Sequence, residues 1–118
     1  MLKSHRRTRR DLERRLPLLV TDVVATKDEI RLVSKRVQIG LRGEWRVVAR
    51  DTTLFGWSTP DVQSRAVGLN GIEITGLDFD ETVRWHGFIR SVHFSNGARL
   101  DLWFGDGGGQ SLVIPRWR

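Results

Sequence analysis

The chain has 118 residues, of which 39% are apolar and 29% charged, with a net charge of +6. That length suits one domain with a working core, and the absence of cysteine excludes disulfides, thiolate metal sites and cysteine nucleophiles. The best apolar run, Leu16 to Ala25, is broken by Thr21 and Asp22, so neither a spanning helix nor a secretory signal is expected, and the chain reads as soluble and cytoplasmic.

The charge is unevenly placed. Met1 to Leu16 holds seven Lys/Arg against two acids, a net of +5, which leaves the rest of the chain nearly neutral. We expect a basic arm over residues 1–17 and a single β domain over residues 18–118. Ser4 to Leu16 predicts a short helix, capped by Ser4 and stopped by Pro17. Arg7 and Asp11 stand four apart, as do Arg9 and Glu13, the spacing of helical ion pairs. The apolar stripe is thin, Leu12 and Leu16 with Leu2, so such a helix frays unless something docks it.

From Leu18 onward the apolar period becomes two, the signature of strands with one wet face. Leu18 to Ala25 and Glu29 to Ser34 predict the first two strands, with a turn at Thr26-Lys27-Asp28. Val37, Ile39 and Leu41 then alternate with Arg36, Gln38, Gly40 and Arg42. Gly43-Glu44 breaks that strand, and Trp45, Val47 and Ala49 alternate with Arg46, Val48 and Arg50. Thr53 to Trp57 predicts a short strand. Ser58 to Val67, with Pro60 inside it, predicts a polar surface loop.

Asn70-Gly71 is a turn signal, and Ile72 to Phe79 predicts a strand. The strongest hairpin joins Phe88–Phe94 to Ala98–Phe104 through Ser95-Asn96-Gly97. Within it Ala98, Leu100, Leu102 and Phe104 share one face, and Arg99, Asp101 and Trp103 the other. Gly105 to Gly109 predicts a turn rather than a phosphate loop, because no Lys-Ser/Thr pair and no helix follow. Ser111 to Pro115 predicts a last strand.

The two halves echo each other: Val20-Thr21-Asp22-Val23 against Ile74-Thr75-Gly76-Leu77, and Val37-Gln38-Ile39-Gly40-Leu41 against Ala98-Arg99-Leu100-Asp101-Leu102. Residues 18–57 and 69–117 are therefore candidate pseudo-repeats. The expected fold is mainly β, an antiparallel small sandwich or roll of two meander-like halves, with a short basic N-terminal helix. The segments Leu69-Asn70-Gly71-Ile72-Glu73-Ile74 and Val92 to Trp103 carry the pattern hxxhxF(S/D)(N/G)GxxLxhw. In this the chain resembles a family of small uncharacterised bacterial β-proteins of about this length, over residues 18 to 117. The resemblance implies a β fold and no catalytic residue; the first half departs from it at Ser34-Lys35-Arg36, where a glycine turn would stand.

Several residue groups invite chemistry. Leu77-Asp78-Phe79-Asp80-Glu81-Thr82-Val83 resembles the nucleophile motif of haloacid-dehalogenase-type phosphatases. That motif belongs at the end of the first strand of a much longer α/β domain, and no lysine follows here, so Asp78 and Asp80 read as strand-end acids. With Glu81 they would offer oxygens to a divalent ion, yet no metal or other cofactor is expected. His86 and His93 lack zinc-ligand spacing. Ser91, His93 and Ser95 share a strand face, but a nucleophile system needs a third, orienting group.

Among the tryptophans, Trp45, Trp57, Trp85 and Trp117 are candidates for core, sheet cover or, at the terminus, exposure; Trp103 is the one predicted to face outward. Two basic surfaces are expected: the arm, through Arg6, Arg7, Arg9, Arg10, Arg14 and Arg15, and a sheet face carrying Arg36, Arg42, Arg46 and Arg50. The composition fits a non-catalytic interaction module of the regulator, inhibitor or immunity type. It would bind a protein partner through a sheet face or edge, with Trp103 as an anchor. Nucleic-acid binding through the arm and the arginine face is the alternative, although no reader motif is present.

Overall fold

The structure, a computed structural model, describes residues 2–35, 37–82, 87–103 and 109–113, with side chains from Arg9 to Gln110 within those ranges. Arg36, Trp85, His86, Phe104, Gly105 to Gly108 and Trp117 lie outside the described residues, as do the side chains of Ser4, Arg6 and Arg7.

Among the described residues the fold is mainly antiparallel β. Its strands are β1 (Leu18–Ala25), β2 (Glu29–Ser34), β3 (Gln38–Arg42), β4 (Glu44–Ala49), β5 (Thr52–Gly56), β6 (Glu73–Phe79), β7 (Ile89–Phe94), β8 (Arg99–Trp103) and β9 (Gly109–Val113). They form one sheet in the order β5-β4-β8-β7-β6-β1-β2-β3-β9. Strands β4 and β3 each stand second from an end of that order, yet Gly43 alone separates them in the chain. The sheet therefore curls enough for β3 to run into β4 at Gly43, while it stays open, with β5 and β9 as its edges among the described residues. The bend falls on Gly43, whose φ of 142° suits a residue without a Cβ. The ladders resume on either side of it, with Arg42 opposite Gly109 and Glu44 opposite Trp103. The two halves of the chain interleave, because β1 pairs with both β2 and β6 while β8 and β9 pair with β4 and β3.

Alternation supplies the inside of the roll. Val20, Val23, Ile30, Leu32, Ile39, Leu41, Trp45, Val47, Ile74, Val92 and Leu100 are all buried there. Trp45 meets the Phe55 ring edge-on, with centroids 6.0 Å apart. Gly56 is needed beside them, since a Cβ there would sit 2.8 Å from the Trp45 carbonyl oxygen. Trp57, at the end of edge strand β5, is exposed rather than core.

Helix α1 (Leu2–Arg15) begins two residues earlier than its sequence signals indicate, so Ser4 lies inside the first turn. It does not hang free. Leu12 is 0% exposed within the core and Leu16 packs against it. Arg9 stacks over the Phe79 ring at 4.8 Å and pairs with Glu81 at 3.0 Å and with Glu13 at 3.4 Å.

The segment expected to be a polar loop is instead partly helical. Residues Val62–Ala66 form α2 and Val67–Leu69 continue as a 3-10 turn. Val62, Ala66 and Leu69 recur at helical spacing, and the last two are buried. Gln63 fastens the helix to β1: its side-chain amide donates to the Val23 carbonyl at 2.8 Å and accepts from the Ala25 amide at 2.6 Å. Docking of that stripe outweighs the poor intrinsic stability of so short a helix. Among the described residues no helix is long and apolar enough to cross a membrane.

Candidate functional site

The inward set on β4, β8 and β7 fixes what points outward. With Trp45, Val47, Leu100, Leu102, Val92 and Phe94 inside, period two sends Glu44, Arg46, Arg99, Asp101, Trp103, Ser91 and His93 to the other face. Strand pairing then lines them up across the sheet. Arg46 stands opposite Asp101, Asp101 opposite Ser91, and Ser91 opposite Asp78. The neighbouring row sets Arg99 opposite His93 and His93 opposite Gly76. Together with Arg90 these residues line an open groove of about 400 Å³, with Trp103 among its walls. Trp103 is 62% exposed, the most exposed large apolar side chain among the described residues.

The groove's polar groups are ordered by their neighbours. Asp101 Oδ1 accepts from the Ser91 hydroxyl at 2.8 Å and from Arg99 Nε at 2.7 Å. Burial pushes the Asp101 carboxyl up, but those two hydrogen bonds and the charges of Arg99 and Arg46 outweigh it and hold the carboxyl below the ordinary aspartate range. The same hydrogen bond and the Asp101 charge raise the Arg99 guanidinium above its usual value. On the next strand, His93 Nε2 lies 2.7 Å from Asp78 Oδ2, with the two side chains 40% and 61% exposed. Arg46, Arg90 and Glu44 make no ion pair among the described residues.

The sequence-stated candidates scatter over the surface. Arg46 and Trp103 come together in the groove. Arg42 lies at the far side of the Gly43 bend, its guanidinium over Gly109, and Arg50 occupies the β4–β5 turn with a φ of 49°. On α1, Arg10 and Arg14 are exposed, Arg15 is partly buried and Arg9 is engaged with Glu81 and Phe79.

The phosphatase-like motif does not assemble a site. Asp78 faces the groove, whereas Asp80 is 6% exposed and is used to close the end of the β6–β7 ladder. Asp80 accepts from the Thr82 amide at 2.7 Å and from the Thr82 hydroxyl, while its own amide donates to the Phe88 carbonyl. Among the described residues no group of three or more His, Asp or Glu side chains is arranged to hold a metal ion.

Asp78 is the group beside His93 that sequence reasoning did not find, because a cross-strand partner fifteen residues away leaves no local signal. Yet Ser91 bonds to Asp101, not to His93, so serine, histidine and carboxylate are split between two separate pairs. The arrangement can order charges and present an indole; it offers no activated hydroxyl. Ser95, in the turn just past β7, accepts from the Glu73 amide at 3.2 Å. No protein-family description, curated protein or solved structure matches this chain.

Proposed function

We propose that the chain is a non-catalytic binding module that recognises a protein partner through the outer face of β6, β7, β8 and β4. The observation that carries this reading is Trp103, exposed beside a groove in which Asp101 is held by Ser91 and Arg99 and His93 lies against Asp78. An indole of that kind offers a large contact area for little ordering entropy, and tryptophan with arginine dominates binding hot spots. The Ser91–Asp101–Arg99 and Asp78–His93 pairs hold the groove in shape before the partner arrives, which lowers the cost of association. Arg46, Arg90 and Glu44 line the same groove and make no ion pair among the described residues. The partner surface that complements the two arginines carries Asp or Glu beside an apolar pocket for the indole. A cytoplasmic setting belongs to the same reading, since the chain, having no cysteine, needs no oxidising compartment.

The test is a comparison of the full chain with Trp103→Ala and Arg46→Glu in affinity capture, followed by binding measurements with the purified captured protein. A partner retained by the unsubstituted chain and weakened roughly tenfold or more by each substitution supports the reading. Equal affinity of both variants for every captured protein overturns it.

A further inference from the structure

The docking of α1 sorts its basic residues into two groups. Leu12 turns into the core, with Leu16 against it. Arg9 is held by Glu13, Glu81 and the Phe79 ring. Counting from Leu12 at 3.6 residues per turn, positions 3, 6, 7, 10 and 14 of α1 fall on the opposite side of the helix. Those positions are Lys3, Arg6, Arg7, Arg10 and Arg14, while both acids, Asp11 and Glu13, fall on the flanks. Arg10 and Arg14 are exposed and have no ion pair among the described residues. Positions 3, 6, 7, 10 and 14, all basic in the sequence, thus run along one side of the α1 backbone over about 16 Å, and neither acid of the helix shares that side.

We infer that this stripe is a second binding surface, for the phosphate backbone of duplex nucleic acid, independent of the groove around Trp103. Charge complementarity selects the ligand class. A duplex carries closely spaced negative charges along its length, and guanidinium groups in a row neutralise them with release of counterions. Two other polyanionic surfaces fit less well. A membrane-surface helix inserts its apolar face among the lipids, but here Leu12 and Leu16 are committed to the protein core. A protein partner calls for an apolar or aromatic anchor, and the stripe contains none. The proposed contacts are to phosphates, which position a protein on a duplex without reading its sequence.

The experiment titrates the full chain into a fluorescently labelled duplex of about 20 base pairs, sized to exceed the stripe, at several salt concentrations. Anionic phosphatidylserine vesicles serve as a parallel probe. Binding to the duplex should fall steeply with salt, and Arg10→Ala/Arg14→Ala should lower the slope of log K against log salt by about 2. Arg10→Lys/Arg14→Lys should keep the slope, since each lysine retains the charge. Trp103→Ala should leave duplex binding unchanged, so that failure here and failure of the groove reading are told apart. No duplex binding at low salt, an unchanged slope in the double alanine variant, or tighter binding to vesicles than to the duplex would each overturn the inference. Thermal melting of each variant checks that it is folded, and the lysine variant stands as the second readout should the alanine variant melt early.

Discussion

The groove and the outer face of α1 are both rich in arginine, and they differ in what surrounds it. In the groove, Arg99 is met by Asp101 within the sheet itself and His93 lies against Asp78, while Arg46 and Arg90 make no ion pair among the described residues. On α1 the inward-leaning Arg9 is similarly met by Glu13 and Glu81, while Arg10 and Arg14 face solvent. A guanidinium with a fixed partner shapes a surface, whereas one without a partner is available to attract a ligand. Charge counted along the chain treats these residues alike; only the packing of α1 and the register of β7 and β8 separate them.

Substitutions can move either region toward the other. The largest effect is expected from Leu12→Ala, which removes the buried anchor of α1 and should destabilise the protein by about 2–5 kcal/mol in denaturant titration. If the helix were a loose appendage, the loss would stay within about 0.5 kcal/mol, the range of surface substitutions.

Asp101→Asn comes next. It strips Arg99 of its counter-charge and leaves it, with Arg46 and Arg90, as a third guanidinium without an ion pair in the groove. Because both side chains are partly exposed, the expected loss of stability is only roughly 0.5–1 kcal/mol. The accompanying sign is set by pH. The Asp101 carboxyl titrates lower in the folded chain than in the unfolded one, so its contribution is fully present above the unfolded value. It is lost as pH falls through the folded value. The unsubstituted chain should therefore lose stability on acidification below the ordinary aspartate range by more than Asp101→Asn does; equal acid sensitivity would show that the pair is inert.

The smallest effect on stability belongs to Trp103→Ala, within about 0.5 kcal/mol, because most of that indole lies in water. A loss of several kcal/mol would mean the side chain supports the fold and would weaken its assignment as a binding anchor.

Local pattern carried the strands well. The β7–β8 hairpin follows from alternation and from Ser95-Asn96-Gly97, where Gly97 takes a φ of 87° and its amide donates to the Phe94 carbonyl at 3.1 Å. The same alternation turned Arg99, Asp101 and Trp103 outward together. The Arg9–Glu13 pair follows from helical spacing. Legibility ended where partners are distant in sequence. Nothing near β1 announces β6 as its neighbour, and nothing near His93 announces Asp78. The α2 stripe of Val62, Ala66 and Leu69 was present in the sequence, but Pro60 and the polar residues between concealed it; burial against β1, not propensity, stabilises that helix. The docking of α1 was hidden for a related reason: a thin stripe of leucines in a cationic segment is a faint signal until the core offers Leu12 and Leu16 a place.

The bend at Gly43 also bears on how the protein is made. Along one side the continuous β3–β4 ribbon pairs with β9 and β8, which leave the ribosome some sixty residues later. Until they emerge, the ribbon's backbone amides and carbonyls on that side remain open to water or to a neighbouring nascent chain. Completion of the sheet is therefore a late, non-local event, and maturation should be slow compared with a helical bundle of equal length and sensitive to crowding on polysomes.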